Sequence, residues 1–150
     1  MIIAIGSDHG GVPLNEAIIA DVEAAGHTVI DFGTHDACKP DDYPDYARLV
    51  GNAVQKGEVD RGIIVCGSGA GVTIAANKLH GVRACMCHDT YSAHQAVEHD
   101  SMNVLCLGAR IIGVELAREL VKAFLGARFS GEERHVRRLA KVEEMDRMGV

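Results

Sequence analysis

GIIVCGSGAGVTIAANK, residues 62–78, is the stretch whose reading decides the fold. It opens on a β-branched run, Gly62 to Val65, that reads as a buried strand. Cys66 ends the run, and three alternate glycines follow at 67, 69 and 71. A short helix is predicted from Val72 to Lys78. A strand, a glycine loop and a helix in direct succession begin a βαβ unit, whose two strands lie parallel.

The same alternation continues outward in both directions. Upstream, Ile2 to Ile5 reads as a buried strand, and Leu14 to Ala25 as a helix stopped by Gly26. Thr28 to Phe32 reads as a second strand. A polar loop follows from Gly33 to Pro44. Pro44 suits the first turn of a helix running to about Gln55, with Asp42 or Tyr43 near its cap. Downstream, Val82 to Cys87 and Val104 to Leu107 are the fourth and fifth strands. Helices are predicted over Ser92 to Glu98, capped from Asp89 or Thr90, and over Gly113 to Leu125. The final segment, Glu132 to Met148, is a charged helix with apolar positions at 136, 139, 142 and 145. That stripe has two candidate partners, the chain's own core and a second subunit. The pattern predicts an α/β fold, a five-stranded parallel sheet with helices on both faces. No repeat, linker or low-complexity tract interrupts it, so one domain is expected over 1–150.

Composition agrees with that architecture. Hydrophobic residues make up 47% of the chain but aromatics only 4%. The apolar mass is Val, Ile, Leu and Ala, as in parallel sheets covered on both faces. The formal net charge of -6 leaves no basic stripe for a nucleic-acid backbone. No apolar run approaches the roughly 20 residues that span a bilayer. The five cysteines form no CxxC pair, and the strand-like opening MIIAIG predicts no cleaved leader. A reduced cytoplasmic protein with free thiols is expected.

Open parallel sheets bind ligands at the carboxyl ends of their strands. Residues 6–11, GSDHGG, follow the first strand there, and residues 66–71, CGSGAG, follow the third. The alternate glycines of the second loop let backbone N–H groups approach one point, which suits a phosphate or a developing oxyanion. Neither loop spells a dinucleotide fingerprint, since position 72 is Val where the third glycine would fall and position 8 is Asp where the second would. No G-K-[ST] follows, and a Cys-x5-Arg phosphatase loop would also need Arg at Val72. Cys66 ends its strand beside clustered N–H dipoles, which favour the thiolate and make it a competent base or nucleophile. Cys85, Cys87 and Cys106 lie in predicted strands and read as core, and Cys38 as a loop thiol. His9 and His99 are candidate acid–base groups, His88 is ambiguous, and His27, His35, His80 and His94 read as surface. No histidine set offers three metal ligands, so no metal is expected. Arg134 and Arg138 share a helix face and form a cationic edge with His135 and Arg137; such an edge suits phosphate, or is simply solvated.

Taken together, SDHGG (7–11), DYPDYA (42–47), residues 62–78, NVLCLGARIIG (103–113) and RHVRR (134–138) cover almost the whole chain. On these the chain resembles type B ribose-5-phosphate isomerases and galactose-6-phosphate isomerase subunits. The resemblance implies a doubly wound, Rossmann-like fold, a homodimer or dimer of dimers with shared active sites, and aldose–ketose isomerisation through an enediolate without a metal or cofactor. It implies Cys66 as the base between C1 and C2, Ser68 as the hydroxyl assisting proton movement, and His99 as the acid that opens the furanose ring. Backbone N–H groups of Gly67, Ser68, Gly69, Ala70 and Gly71 would hold the enediolate oxygen. Asp8, His9, Tyr43 and Asp100 match substrate-contacting positions, and Arg110, Arg134 and Arg138 match positions that bind chiefly the phosphate. A branch of the family with a glutamate base would carry it at Val72, so the chain sits with the cysteine branch. Asp100 stands where Asn is common, Val12 where an aromatic is frequent and Asn15 where Lys is frequent. The expected reaction is ribose 5-phosphate to ribulose 5-phosphate. Another aldose or aldose phosphate (galactose 6-phosphate, allose, allose 6-phosphate or a tetrose phosphate) is the alternative, and a non-catalytic phosphosugar-binding module a more distant one.

Overall fold

A computed structural model describes residues 1–149. Its strands are β1 (Ile2–Ser7), β2 (Thr28–Asp31), β3 (Arg61–Cys66), β4 (Ala84–Met86) and β5 (Val104–Gly108). They form one sheet in the order β2-β1-β3-β5-β4, with every pairing parallel. The helices are α1 (Val12–Ala24), α2 (Tyr43–Gln55), α3 (Ala70–Ala76), α4 (Thr90–Asp100), α5 (Val114–Gly126) and α6 (Glu133–Met148). The predicted doubly wound sheet is therefore present.

Parallel crossovers are right-handed, so the direction of each step across the sheet fixes which face its helix covers. The steps β1 to β2 and β4 to β5 run one way, and α1 and α4 share a face. The steps β2 to β3 and β3 to β4 run the other way, and α2 and α3 cover the opposite face. The strand side chains alternate to match. Ile3, Ile5, Ile63, Val65, Leu105 and Leu107 pack with α1, α4 and α5. Ala4, Ile64, Cys66, Val104 and Cys106 pack with α2 and α3. Cys66 thus ends β3 on the α2–α3 face.

Helix limits follow local chemistry. Pro13 and Pro44 sit in the first turns of α1 and α2, where their missing N–H costs nothing. Asp42 is the N-cap residue of α2, and Asp89 caps α4 by accepting from the Ser92 N–H at 2.7 Å. Ser101, at φ 53°, closes α4 in the left-handed region. The fourth strand is shorter than its predicted Val82 to Cys87, because β4 is an edge strand that finds ladder partners only on β5.

Asn15 is an exception inside α1. It is 1% exposed, among Leu14, Ile18 and Val22, and its amide N and O have no hydrogen-bond partner among the described residues. A buried amide left unpaired costs about 1–3 kcal/mol. Leu is nearly isosteric, so Asn15→Leu is expected to stabilise the fold by about 1 kcal/mol, raising Tm by about 2–4 °C. Thermal unfolding followed by circular dichroism checks this; an unchanged or lower Tm contradicts it.

Candidate active site

The step from β1 outward to β2, then back past β1 to β3, leaves a crevice between the carboxyl ends of β1 and β3. The loops after these two strands meet there. The Asp8 N–H donates to the Val65 carbonyl at 3.3 Å. A Cβ on Gly10 would lie 3.1 Å from the Gly67 nitrogen, so the two loops run backbone against backbone. The crevice opens into a cleft of about 310 Å³, lined by Asp8, Tyr43, Cys66, Gly67, Ser68, Gly71, Arg110 and Ile111.

Cys66 is 5% exposed, and its Sγ accepts the Gly69 N–H at 3.1 Å. Gly69 reaches this arrangement at φ 83°, a left-handed conformation that a side chain would strain. The Ala70 N–H turns to the Ser68 hydroxyl at 3.2 Å. The N–H groups of Gly67, Ser68 and Gly71 make no hydrogen bond among the described residues. The loop that begins at this buried thiol thus keeps three donors unspent. Tyr43 lies flat against Gly71, where an added Cβ would come within 2.8 Å of its ring. Arg110 lies over Gly67, 3.4 Å from where a Cβ would stand, and its backbone N–H donates to the Gly67 carbonyl at 2.9 Å.

The β1 loop supplies carboxylate and imidazole. Burial raises Asp8 above the ordinary carboxylate range, partly offset by the Gly11 N–H at 3.0 Å. His9 Nδ1 lies 2.6 Å from Asp41 Oδ1, and the His9 N–H donates to the same oxygen at 3.1 Å. Tyr46 donates to Asp41 Oδ2 at 2.7 Å. Partial burial works against ionisation of Asp41, but these three donors outweigh it and hold its carboxyl low. Asp8, His9 and Asp41 bring donor atoms within 4.8 Å of one another. His9 and Asp41 are already paired with each other, and Asp8 with Gly11. Asp41 escaped the sequence reading because a loop of no periodicity offers no clue to its partner.

The remaining thiols and His88 sort by environment. Cys87 and Cys106 are buried, as expected, though Cys87 lies one residue past β4. Burial pushes Cys106 up to about 12. Cys38 is exposed. Cys85 is half-buried, packs on the sheet face opposite Cys66, and is lowered to about 7 by the neighbouring Cys87 thiol. His88 accepts the Gly108 N–H at 3.0 Å through Nε2, and burial lowers its basicity.

His99, Asp100, Arg134 and Arg138 are not in this cleft. α4 begins after β4 and runs back against the strands, so its last turn, with His99 and Asp100, returns to the end where β5 starts. β3 has six residues at about 3.3 Å each, which separates the two ends of the sheet by roughly 16 Å. α6 crosses the strand-start end. At one end of the helix the His135 ring stacks on His99 at 4.0 Å between centroids; at the other, Asp146 accepts the Gly81 N–H at 2.7 Å. Within one chain, then, Asp8, His9, Tyr43, Cys66, the glycine loop and Arg110 share one end, and His99, Asp100, Arg134 and Arg138 share the other.

The sequence profile described as Ribose/Galactose Isomerase matches residues 3–142. The chain belongs to the ribose/galactose isomerase family. Within that family it is 44% identical over 144 residues to ribose-5-phosphate isomerase B of Escherichia coli, covering 96% of this chain and 95% of that one. It is also 43% identical over 129 residues to a D-erythrulose-4-phosphate isomerase of Pectobacterium atrosepticum, covering 86% and 85%. The solved Clostridium thermocellum ribose-5-phosphate isomerase B superposes over 100% of both chains with a TM-score of 0.95 at 45% identity. The ribose/galactose isomerase membership makes this protein an aldose–ketose isomerase acting on a sugar phosphate. No helix among the described residues is long and apolar enough to cross a membrane.

Proposed function

We propose that this isomerase interconverts D-ribose 5-phosphate and D-ribulose 5-phosphate, with Cys66 as the base. The observation that carries the reading is the buried Cys66 thiol, held by the Gly69 N–H at 3.1 Å at the head of a loop with three unspent donors. The thiolate removes the proton from C2 of the open-chain aldose, and the electron pair shifts onto the C1 carbonyl oxygen. The N–H groups of Gly67, Ser68 and Gly71 stabilise that charge as it develops. Ser68 passes the O2 proton to O1, and Cys66 returns its own proton to C1. Asp8, His9 and Tyr43 orient the sugar, and Arg110 with Arg134 and Arg138 takes the phosphate; remote binding of this kind lowers the entropic cost of alignment.

His99, Arg134 and Arg138 must reach Cys66 from a second copy of the chain, because their own Cys66 lies at the far end of the sheet. We therefore assign a homodimer or dimer of dimers in which the strand-start end of one subunit closes the cleft of its neighbour. The exposed Val136, Val142 and Met145 of α6 support this, as an apolar stripe left open to solvent beside the partly buried Leu139. The same reading takes residues 1–150 as one domain, working in the cytoplasm without metal or organic cofactor.

Relatives of nearly equal identity act on five-carbon and four-carbon sugars by name, so chemistry must choose between them. A tetrose 4-phosphate has its O4 esterified and cannot close a furanose ring, whereas ribose 5-phosphate closes through O4. An acid dedicated to ring opening serves only the second, and His99 in its stacked setting supports the pentose. kcat/KM measured across ribose 5-phosphate, erythrulose 4-phosphate, galactose 6-phosphate, allose 6-phosphate and allose tests this. Ribose 5-phosphate is expected to lead by at least about tenfold, which is about 1.4 kcal/mol in transition-state binding, with the rate unchanged by a chelator. A lead for any other sugar overturns the substrate, and loss of activity with chelator overturns the metal-free mechanism.

A further inference from the structure

We propose that His135 is a positioning residue for the ring-opening acid, fixing His99 and Arg134 in one arrangement. The inference rests on the proposed function and deepens it. α6 fully buries one described side chain, and it is this imidazole, 2% exposed on a helix whose other side chains are exposed or, at Leu139 and Asp146, partly buried. Its ring stacks on His99 with centroids 4.0 Å apart and planes at 30°. Arg134 Nε donates to its Nε2 at 3.3 Å, and its Nδ1 lies 2.8 Å from Ser130 Oγ. A guanidinium can only donate, so Nε2 is the acceptor and Nδ1 carries the proton. Both nitrogens are satisfied by the neutral ring. Burial, followed by the neighbouring charges of His99 and Arg134, pushes His135 below the ordinary imidazole value.

A neutral ring is what the stack requires, because a second imidazolium at 4.0 Å would oppose protonation of the acid. The Gln95 amide lies 2.8 Å from His99 Nδ1, and can present nitrogen to a neutral ring or oxygen to a protonated one. His99 is thus gripped on one face by His135 and on one edge by Gln95. Its Nε2 remains as the working atom, with the Glu98 carboxylate 3.9 Å away. Opening the furanose breaks the C1–O4 bond, places the His99 proton on O4 and releases the C1 hydroxyl proton to water. A C1 carbonyl results, and His99 regains a proton from water. A ring free to rotate about its χ angles would meet O4 only part of the time.

Ribulose 5-phosphate separates this role from general damage. Its O5 is esterified, so it is open-chain, and exchange of its C1 proton with deuterated water needs Cys66 but no ring-opening acid. At saturating substrate, His135→Ala is expected to lower kcat for ribose 5-phosphate by about 10–100-fold while leaving C1 exchange within about threefold of wild type. His135→Phe keeps a flat ring without nitrogens; it should keep most of kcat and raise KM, because Arg134 loses its acceptor. An unchanged kcat in a folded Ala variant, or equal loss in both reactions, overturns the assignment. If the Ala variant does not fold, the Phe variant decides: kcat kept with KM raised supports the role, and kcat lost together with C1 exchange overturns it. Wild-type protein inert in both assays would overturn the substrate reading instead, before any variant is made.

Discussion

Cys66→Ala is expected to lower kcat for ribose 5-phosphate by about 10³-fold or more, with KM changed little, since a positioned base supplies about 10²–10⁴ of rate. In the proposed mechanism the thiol does not hold the phosphate, so its loss should remove a transition-state interaction and leave ground-state binding in place. The substitution is small. Cys66 is nearly buried but sits at the strand end, where an Ala methyl occupies the same direction from the backbone. The Gly69 N–H that donated to sulfur then faces the cleft with the other free donors, so the loop has no reason to refold. Thermal unfolding within a few degrees of wild type, together with steady-state kinetics and C1 exchange, checks the expectation. Both the isomerisation and the exchange should fall, in contrast to the split expected at His135. A folded Cys66→Ala protein with wild-type turnover would remove Cys66 from the mechanism, and position 72, a buried Val, offers no substitute base.

The contrast between the two ends of the sheet explains what the sequence could and could not disclose. The glycine loop was legible because its residue types are dictated locally: a left-handed turn needs Gly69, and a strand end followed at once by a helix sets Cys66 at the rim. The five strands and the helices between them were legible for a similar reason, since hydrophobic period is a property of short segments. The strand order was not. Nothing within residues 84–86 says that β4 pairs beyond β5 rather than beside β3; that choice is made by long-range packing. Asp41 was invisible because it sits in an irregular loop and its partner, His9, lies 32 residues away, before α1 and β2. His135 was seen only as part of a cationic edge, because a helix with so many charges gives no periodic cue that one imidazole turns inward. The separation of His99 from Cys66 was implicit in the order of elements, but not in either motif alone.

Mixing two inactive variants should restore activity, and this is the sharpest test of that separation. Cys66→Ala and His99→Asn each disable every site of their own homodimer if the site combines Cys66 of one subunit with His99 of the other. In a mixed dimer one site then collects both lesions and the other collects none. With random pairing half the dimers are mixed, so about a quarter of all sites are intact and about a quarter of wild-type activity returns. A dimer of dimers gives the same fraction, because each site still draws on two subunits. If instead both residues served one site within a single chain, no pairing could free a site of its lesion, and activity would stay at the floor of the parent variants. Co-expression of differently tagged chains with tandem purification isolates the mixed dimer, where about half the wild-type activity is expected because one of two sites is whole. A purified mixed dimer as inactive as either parent would mean that the two ends of the sheet never meet across subunits. His99, Arg134 and Arg138 would then have no route to Cys66, since in their own chain they and Cys66 lie at opposite ends of a sheet roughly 16 Å long.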